Sequence, residues 1–224
     1  EGWSRAGYDA SDWRPVWERP LVKKSVDPSG KPQLKSEGGI PARAASQCDA
    51  APVPLQGRPE PSIRVVEEAR PIAATRGPGG TVLFDLGRII CGYARITVSG
   101  RAGSTLILRF AEWLNPDGTI YTDMYRRALC TDQYTLKGGG KETFDPRYTY
   151  RTFRYVEVSG LDGDPDPDML RGVVLVSDNP PVGEFSCSDP QLNALYDAFK
   201  WTLRNTYVDI PADCSNRDER LGWL

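Results

Sequence analysis

Histidine is absent from all 224 residues. Within this stretch that excludes a Ser–His or Cys–His nucleophile pair and any His-ligated metal, so acid–base chemistry here has to run on carboxylates. Cysteine is sparse and scattered: Cys48, Cys91, Cys130, Cys187 and Cys214 make an odd count with no C-x-x-C pair. A disulfide framework or a zinc site would show closer, paired spacing, so most of these read as small buried hydrophobes. No apolar run approaches the length of a membrane span. The formal net charge is −2 without a long basic run, which argues against nucleic acid or an anionic membrane as partner. The first residues, Glu1-Gly-Trp-Ser-Arg5, show neither an initiator Met nor the apolar run of a signal peptide, and they leave the compartment open.

What remains is ordinary for a globular protein, with 39% apolar and 26% charged residues. That is enough to bury a core in one large or two small domains. Residues 1–19 scatter Trp3, Tyr8, Trp13 and Trp17 among Gly, Asp and Ser. Aromatics at that density need a surface that nineteen residues cannot supply, so this piece reads as the tail of a larger upstream β-domain or as an arm laid across the next one. Residues 20–61 turn to Pro, Gly, Ser, Ala and Lys without periodicity, as a linker or irregular segment would.

From 62 to 178 the pattern is β. The expected strands are Ser62–Glu67, Thr81–Leu86, Tyr93–Val98, Thr105–Glu112, Thr131–Leu136, Thr149–Val158 and Val173–Val176. In Thr105–Glu112, Leu106, Leu108 and Phe110 alternate with Ile107, Arg109 and Ala111, the period of a half-buried strand. Short strands punctuated by Gly-rich turns predict an antiparallel β-sandwich. Among those turns, Gly138-Gly-Gly-Lys141 reads as a hairpin turn and Asp162–Asp168 as an acidic surface turn. Arg109, Glu112, Tyr121, Tyr125, Arg126 and Arg127 read as strand-edge residues or as the wall of a neighbouring pocket. At Ser188 the period changes. Ser188-Asp-Pro-Gln191 predicts a capping box; Leu192, Leu195, Tyr196, Phe199 and Leu203 then follow helical spacing as far as about Thr206. A second helix is expected from Ser215 or Asn216.

Residues 213–224 follow, with five charged side chains, an amide, a thiol and a Trp in twelve positions. A core has no use for so many polar groups, and a solvated loop little use for Trp223. Two readings stand side by side. Asn216 and Glu219 have capping-box spacing, so Glu219 could cap a helix and Asp218 face its dipole. Alternatively, three acids within seven residues raise at least one carboxyl pKa, as a general acid at neutral pH requires, and an aromatic plane beside them suits a sugar pocket. Cys214 has no His or Lys neighbour in sequence to activate it as a nucleophile.

The segment Asp213-Cys-Ser-Asn-Arg-Asp-Glu-Arg-Leu-Gly-Trp223 resembles the signature of α-L-rhamnosidases of glycoside hydrolase family 78. Upstream, Phe84-Asp-Leu-Gly-Arg-Ile-Ile-Cys-Gly-Tyr-Ala-Arg-Ile96, Leu108-Arg-Phe-Ala-Glu112, Asn115-Pro-Asp-Gly118 and Phe153-Arg-Tyr-Val-Glu157 resemble that family's concanavalin-like β-sandwich. Ser186-Cys-Ser-Asp-Pro-Gln-Leu-Asn193 is similar to the opening of its (α/α)6 barrel, and Gly2–Val16 to the end of its N-terminal sandwich module. The resemblance implies a mainly β fold, an antiparallel concanavalin-like β-sandwich followed by the first helix or two of a truncated (α/α)6 barrel over 179–224. It implies an inverting α-L-rhamnosidase acting on a rhamnosylated glycoside or polysaccharide; no cofactor is expected, no metal is assigned to the site residues, and metal binding by the β-sandwich is left open. Glu219 would be the general acid, Asp213 would bind sugar hydroxyls, Trp223 would pack on the sugar, and Arg217 and Asp218 would line the site. The family's base falls on a later barrel Glu outside these residues, so the 224-residue stretch is expected to be a fragment inactive alone. The sequence departs from the family at Ser215-Asn216, where many members have Pro-Gln, and at Phe110, where His is common; neither shifts the acids out of register. The competing readings are a non-catalytic carbohydrate-binding β-sandwich module and another (α/α)6 glycosidase.

Overall fold

The computed structural model describes residues 57, 61–217 and 222. The chain forms two compact units, Glu1–Gly57 and Arg58–Leu224. The expected sandwich tail and nearly all of the linker lie outside the described residues.

The second unit is built on an antiparallel sheet with one helix at its end. Its strands are β1 (Ile63–Ala69), β2 (Ala73–Arg76), β3 (Val82–Ser99), β4 (Thr105–Ala111), β5 (Trp113–Leu114), β6 (Ile120–Tyr121), β7 (Thr131–Thr135), β8 (Lys141–Phe144), β9 (Arg151–Ser159) and β10 (Leu170–Ser177). The helix α1 (Pro190–Thr206) follows, then β11 (Tyr207–Val208) and β12 (Ile210–Pro211). The main sheet runs β1-β10-β3-β9-β4-β7, and β2 and β8 add to β3; β5 and β6 pair separately. This curled antiparallel sheet followed by a helix is the architecture expected of a concanavalin-like domain leading into a helical one. Alternation along β4 puts Leu106, Leu108 and Phe110 in the core while Ile107 stays exposed. Ala111 breaks the alternation: it is buried as well. Phe110 packs edge-on against Phe153 at 4.9 Å between ring centres, a favoured aromatic geometry.

Three features differ from expectation. The strands expected at Thr81–Leu86 and Tyr93–Val98 are one continuous strand, β3. Its register against β9 jumps between Asp85, opposite Tyr155, and Ile90, opposite Phe153. Leu86–Ile89 therefore form a bulge opposite Arg154. Gly87 turns it with φ 78°, a value glycine adopts without penalty, and its N–H donates to Asp85 Oδ1 at 2.7 Å. Arg154 clamps the start of the bulge through two bonds to the Asp85 carboxylate, 2.8 and 2.9 Å.

The second difference lies at 138–141. This is not a hairpin turn, because β7 pairs with β4 whereas β8 pairs with β3. Glu142 closes the connection by accepting from Tyr134 Oη at 2.7 Å and from the N–H groups of Lys137 and Gly138. The acidic turn at 162–168 is as expected, on the surface and tied down by Arg70 and Arg171 on Asp168.

The third concerns α1. Its N-cap is Asp189 rather than Ser188: the Asp189 side chain accepts from Gln191 N, and Pro190 takes the first helical turn, where its missing N–H costs nothing. The helix ends at Thr206, as the spacing predicts. Its apolar stripe does not meet the sheet; Leu192, Leu195, Phe199 and Leu203 are exposed. The helix docks by another face instead. Trp201 Nε1 donates to Ile89 O at 2.7 Å, Asn205 Nδ2 donates to the same carbonyl at 3.2 Å, and Cys91 N donates to Asn205 Oδ1 at 3.0 Å. The bulge in β3 is thus the receptor for the helix, and Arg88, also in the bulge, lies 4.0 Å over the Trp201 ring, a cation–π contact.

Candidate functional site

Docking α1 on the bulge fixes where the next residues emerge. β11 and β12 pair across Asp209, whose N–H donates to Ser177 Oγ at the end of β10, 2.8 Å away. Ala212 N donates back to Thr206 O at 2.8 Å. Ala212 also bridges Gly222 in antiparallel fashion, which ties the chain entering Asp213 to Gly222. On the leaving side, Asp213 is half-buried and accepts from the Cys214 thiol at 3.1 Å. A turn follows, with Arg217 N donating to Cys214 O at 3.2 Å. Ser215 is buried, and Asn216 and Arg217 are half-buried.

The sandwich grips this loop at Asn216. The Cys130 thiol donates to Asn216 O at 3.2 Å. The Asn216 side chain hydrogen-bonds the carboxyl of Glu112, which also accepts from Thr152 Oγ1 at 2.6 Å. Glu112 sits between β4 and β5, and its backbone N–H donates to Tyr125 Oη at 2.8 Å. Burial pushes the Glu112 carboxyl above its ordinary value, against the opposing pull of the Thr152 and Asn216 hydrogen bonds. Burial also raises the Tyr125 phenol, and the Glu112 charge adds to that. Glu112, Thr152 and Asn216 face a cleft of about 560 Å³ between sheet, helix and loop, whose walls include Arg88, Trp113, Arg154 and Trp201.

Of the residues expected at the site, Asp213 and Arg217 lie half-buried on the leaving side of the loop, outside the residues that line the cleft. Asp218, Glu219 and Trp223 lie outside the described residues, as does any second helix beyond Arg217. Glu112 is the residue that sequence reasoning left undecided between strand edge and pocket wall. The structure puts it in the wall. The available signal was a carboxylate directly after the apolar alternation of β4; its partner, Asn216, is too distant in sequence for local pattern to find. Among the described residues, no group of three or more His, Cys, Asp or Glu could hold a metal ion.

Comparison with known proteins agrees with this layout. Residues 75–176 match the bacterial α-L-rhamnosidase concanavalin-like domain, and residues 180–224 match the bacterial α-L-rhamnosidase six-hairpin glycosidase domain. An α-L-rhamnosidase of Streptomyces avermitilis is 38% identical over 222 residues, covering 99% of this chain and 19% of its own length. A crystal structure of α-L-rhamnosidase from the same organism, complexed with L-rhamnose, superposes with TM-score 0.70 at 44% identity, covering 73% of this chain and 16% of that one. The Dictyoglumus thermophilum α-L-rhamnosidase gives TM-score 0.71 at 36% identity, covering 74% of this chain and 19% of that one. The chain spans about a fifth of the length of the curated relatives that it matches along its whole length. With residues matching the two domains in the family's order and relatives that align along the whole chain, the chain belongs to the α-L-rhamnosidase family, glycoside hydrolase family 78.

Proposed function

We propose that the protein carrying these residues is an inverting α-L-rhamnosidase that hydrolyses terminal α-L-rhamnosides, and that the loop closed by Ala212 and Gly222 holds the acid half of its catalytic pair. The observation that carries this reading is the loop itself: it leaves a docked helix, is gripped by the sandwich at Asn216, and matches the glycosidase domain of rhamnosidases. Glu219 protonates the glycosidic oxygen as the bond to the anomeric carbon breaks. Asp213 accepts hydrogen bonds from sugar hydroxyls, Trp223 packs on the ring, and Arg217 and Asp218 line the site. A second carboxylate on the opposite face, from a later barrel helix, deprotonates the attacking water; inversion requires the two carboxyls about 6.5–9.5 Å apart. Domain limits at 62–178 for the sandwich and from 179 for the barrel belong to this proposal, as does the inactivity of residues 1–224 alone, which hold the acid without that base. The L-rhamnose bound to the Streptomyces avermitilis relative supports the choice of sugar.

The test is an aryl glycoside panel on the full-length protein, with proton NMR of the first sugar released. Release from the α-L-rhamnoside, with β-L-rhamnose appearing first, is expected. Preference for a different glycoside would point to another (α/α)6 glycosidase, and sugar binding without turnover to a carbohydrate-binding module. Initial release of the α-anomer would overturn inversion.

A further inference from the structure

Glu112 lies on the sandwich, outside the loop that carries the proposed acid, yet its carboxyl is committed to that loop. Its backbone N–H is fixed by Tyr125, and its carboxylate is oriented by Thr152 on β9. The remaining interaction runs to the side chain of Asn216, three residues before Glu219 in sequence. On its other side Asn216 is held through its carbonyl by Cys130. The loop is thus pinned at its neck by the Ala212–Gly222 bridge and again within it, by two sandwich residues on one amino acid. Burying a carboxylate is costly, and packing alone would be served as well by an apolar side chain of the same volume. A carboxylate whose partners are two fixed hydrogen-bond donors instead gives direction, which a loop that must hold one proton donor in place requires.

We propose that Glu112 is a positioning residue that sets the general acid of the loop through Asn216, so that the β-sandwich takes part in the protonation step. This rests on the reading of Glu219 as that acid. Without Glu112 the loop keeps its neck and the Cys130 contact but loses the side-chain grip at Asn216, and the acid drifts from the glycosidic oxygen. Misplacement on the order of 1 Å costs up to about a hundredfold in rate. The loss falls only on bonds whose leaving group needs a proton.

The experiment compares kcat of the full-length protein on an alkyl α-L-rhamnoside and on 2,4-dinitrophenyl α-L-rhamnoside, whose leaving group departs as the anion. Glu112→Ala is expected to lower kcat on the alkyl substrate about ten- to a hundredfold, with little change on the dinitrophenyl substrate and in KM. Asn216→Ala should reproduce the pattern, the double variant should be no worse than either single one, and Glu112→Gln, which keeps an acceptor oxygen, should recover part of the rate. Equal losses on both substrates, or additive losses in the double variant, would overturn the inference. Glu219→Gln is the control: if it shows no leaving-group discrimination the acid reading fails, whereas if it discriminates and Glu112→Ala and Asn216→Ala do not, only the role of Glu112 fails. Should Glu112→Ala not fold, as judged by circular dichroism, Asn216→Ala and Glu112→Gln carry the test.

Discussion

Replacing Asn205 by Ala should loosen the helix from the sheet by a calculable amount. Asn205 is 6% exposed and makes two hydrogen bonds into the β3 bulge, to Cys91 N at 3.0 Å and Ile89 O at 3.2 Å. The substitution deletes both. The Ile89 carbonyl still accepts from Trp201, but the Cys91 N–H loses this acceptor in a buried position. At about 1–1.5 kcal/mol for each buried hydrogen bond, the loss is about 2–3 kcal/mol. Asn205→Asp is a sharper probe. It keeps an acceptor for Cys91 N–H but turns a carboxylate oxygen toward Ile89 O, so it should be at least as damaging at neutral pH. Urea denaturation measures the global effect, with the midpoint falling while the slope is unchanged, and amide exchange at Cys91 reports local undocking of α1. A loss under about 0.5 kcal/mol with unchanged exchange at Cys91 would refute the claim that the bulge is the receptor for the helix.

Two further predictions concern buried charge. Burial raises the Glu112 carboxyl above its ordinary value, so the folded protein keeps this proton to higher pH than the unfolded chain. Stability from this site is therefore fully present below the unfolded value and is lost as pH rises through the folded pKa. Glu112→Gln should remove that loss, and its stability relative to the parent should improve with rising pH across this window in a urea series; a difference that does not vary with pH would contradict it. Arg151 Nη2 donates to Asp132 Oδ1 at 2.9 Å, with the two side chains only 9% and 12% exposed. Asp132→Ala removes the carboxylate and leaves the guanidinium its Thr149 Oγ1 hydrogen bond at 3.1 Å and its place over the Phe110 ring; it should cost about 3–5 kcal/mol in the same assay, against a smaller loss for Asp132→Asn. Because the pair is one-pronged, with Asp132 Oδ2 and Arg151 Nη1 lacking a hydrogen-bond partner, the lower end of that range is expected.

Much of this architecture was legible where the determining contacts are local. Alternation in Thr105–Glu112 gave the strand and its inner face, and helical spacing gave the end of α1 at Thr206. Local competition blurred the helix start, since Ser188 and Asp189 are adjacent and both are competent caps. What escaped was set by residues far apart in the chain. The expected strands stop at Leu86 and resume at Tyr93; only pairing with β9 on both sides of the bulge makes β3 continuous. The segment 138–141 reads as a hairpin because nothing local reveals that β7 and β8 join different neighbours. The apolar stripe of α1 was plain in sequence, yet the docking face is the one with Trp201 and Asn205, which suits a bulge offering a carbonyl and an N–H rather than an apolar surface. Glu112 could not be told from an ordinary edge residue because Thr152 and Asn216 give it meaning. The motif 213–223 was the strongest signal, and its identity rested on resemblance, since capping and catalysis use the same residue types at the same spacing.

The central claim is that Glu219 is the proton donor of an α-L-rhamnosidase. The direct measurement is kcat/KM of the full-length protein and its Glu219→Gln variant on an alkyl α-L-rhamnoside across pH. A fall of about a hundred- to ten-thousand-fold is expected, the usual worth of a general acid, with loss of the descending alkaline limb that deprotonation of the acid produces. A variant within a few-fold of the parent, with that limb intact, would contradict it.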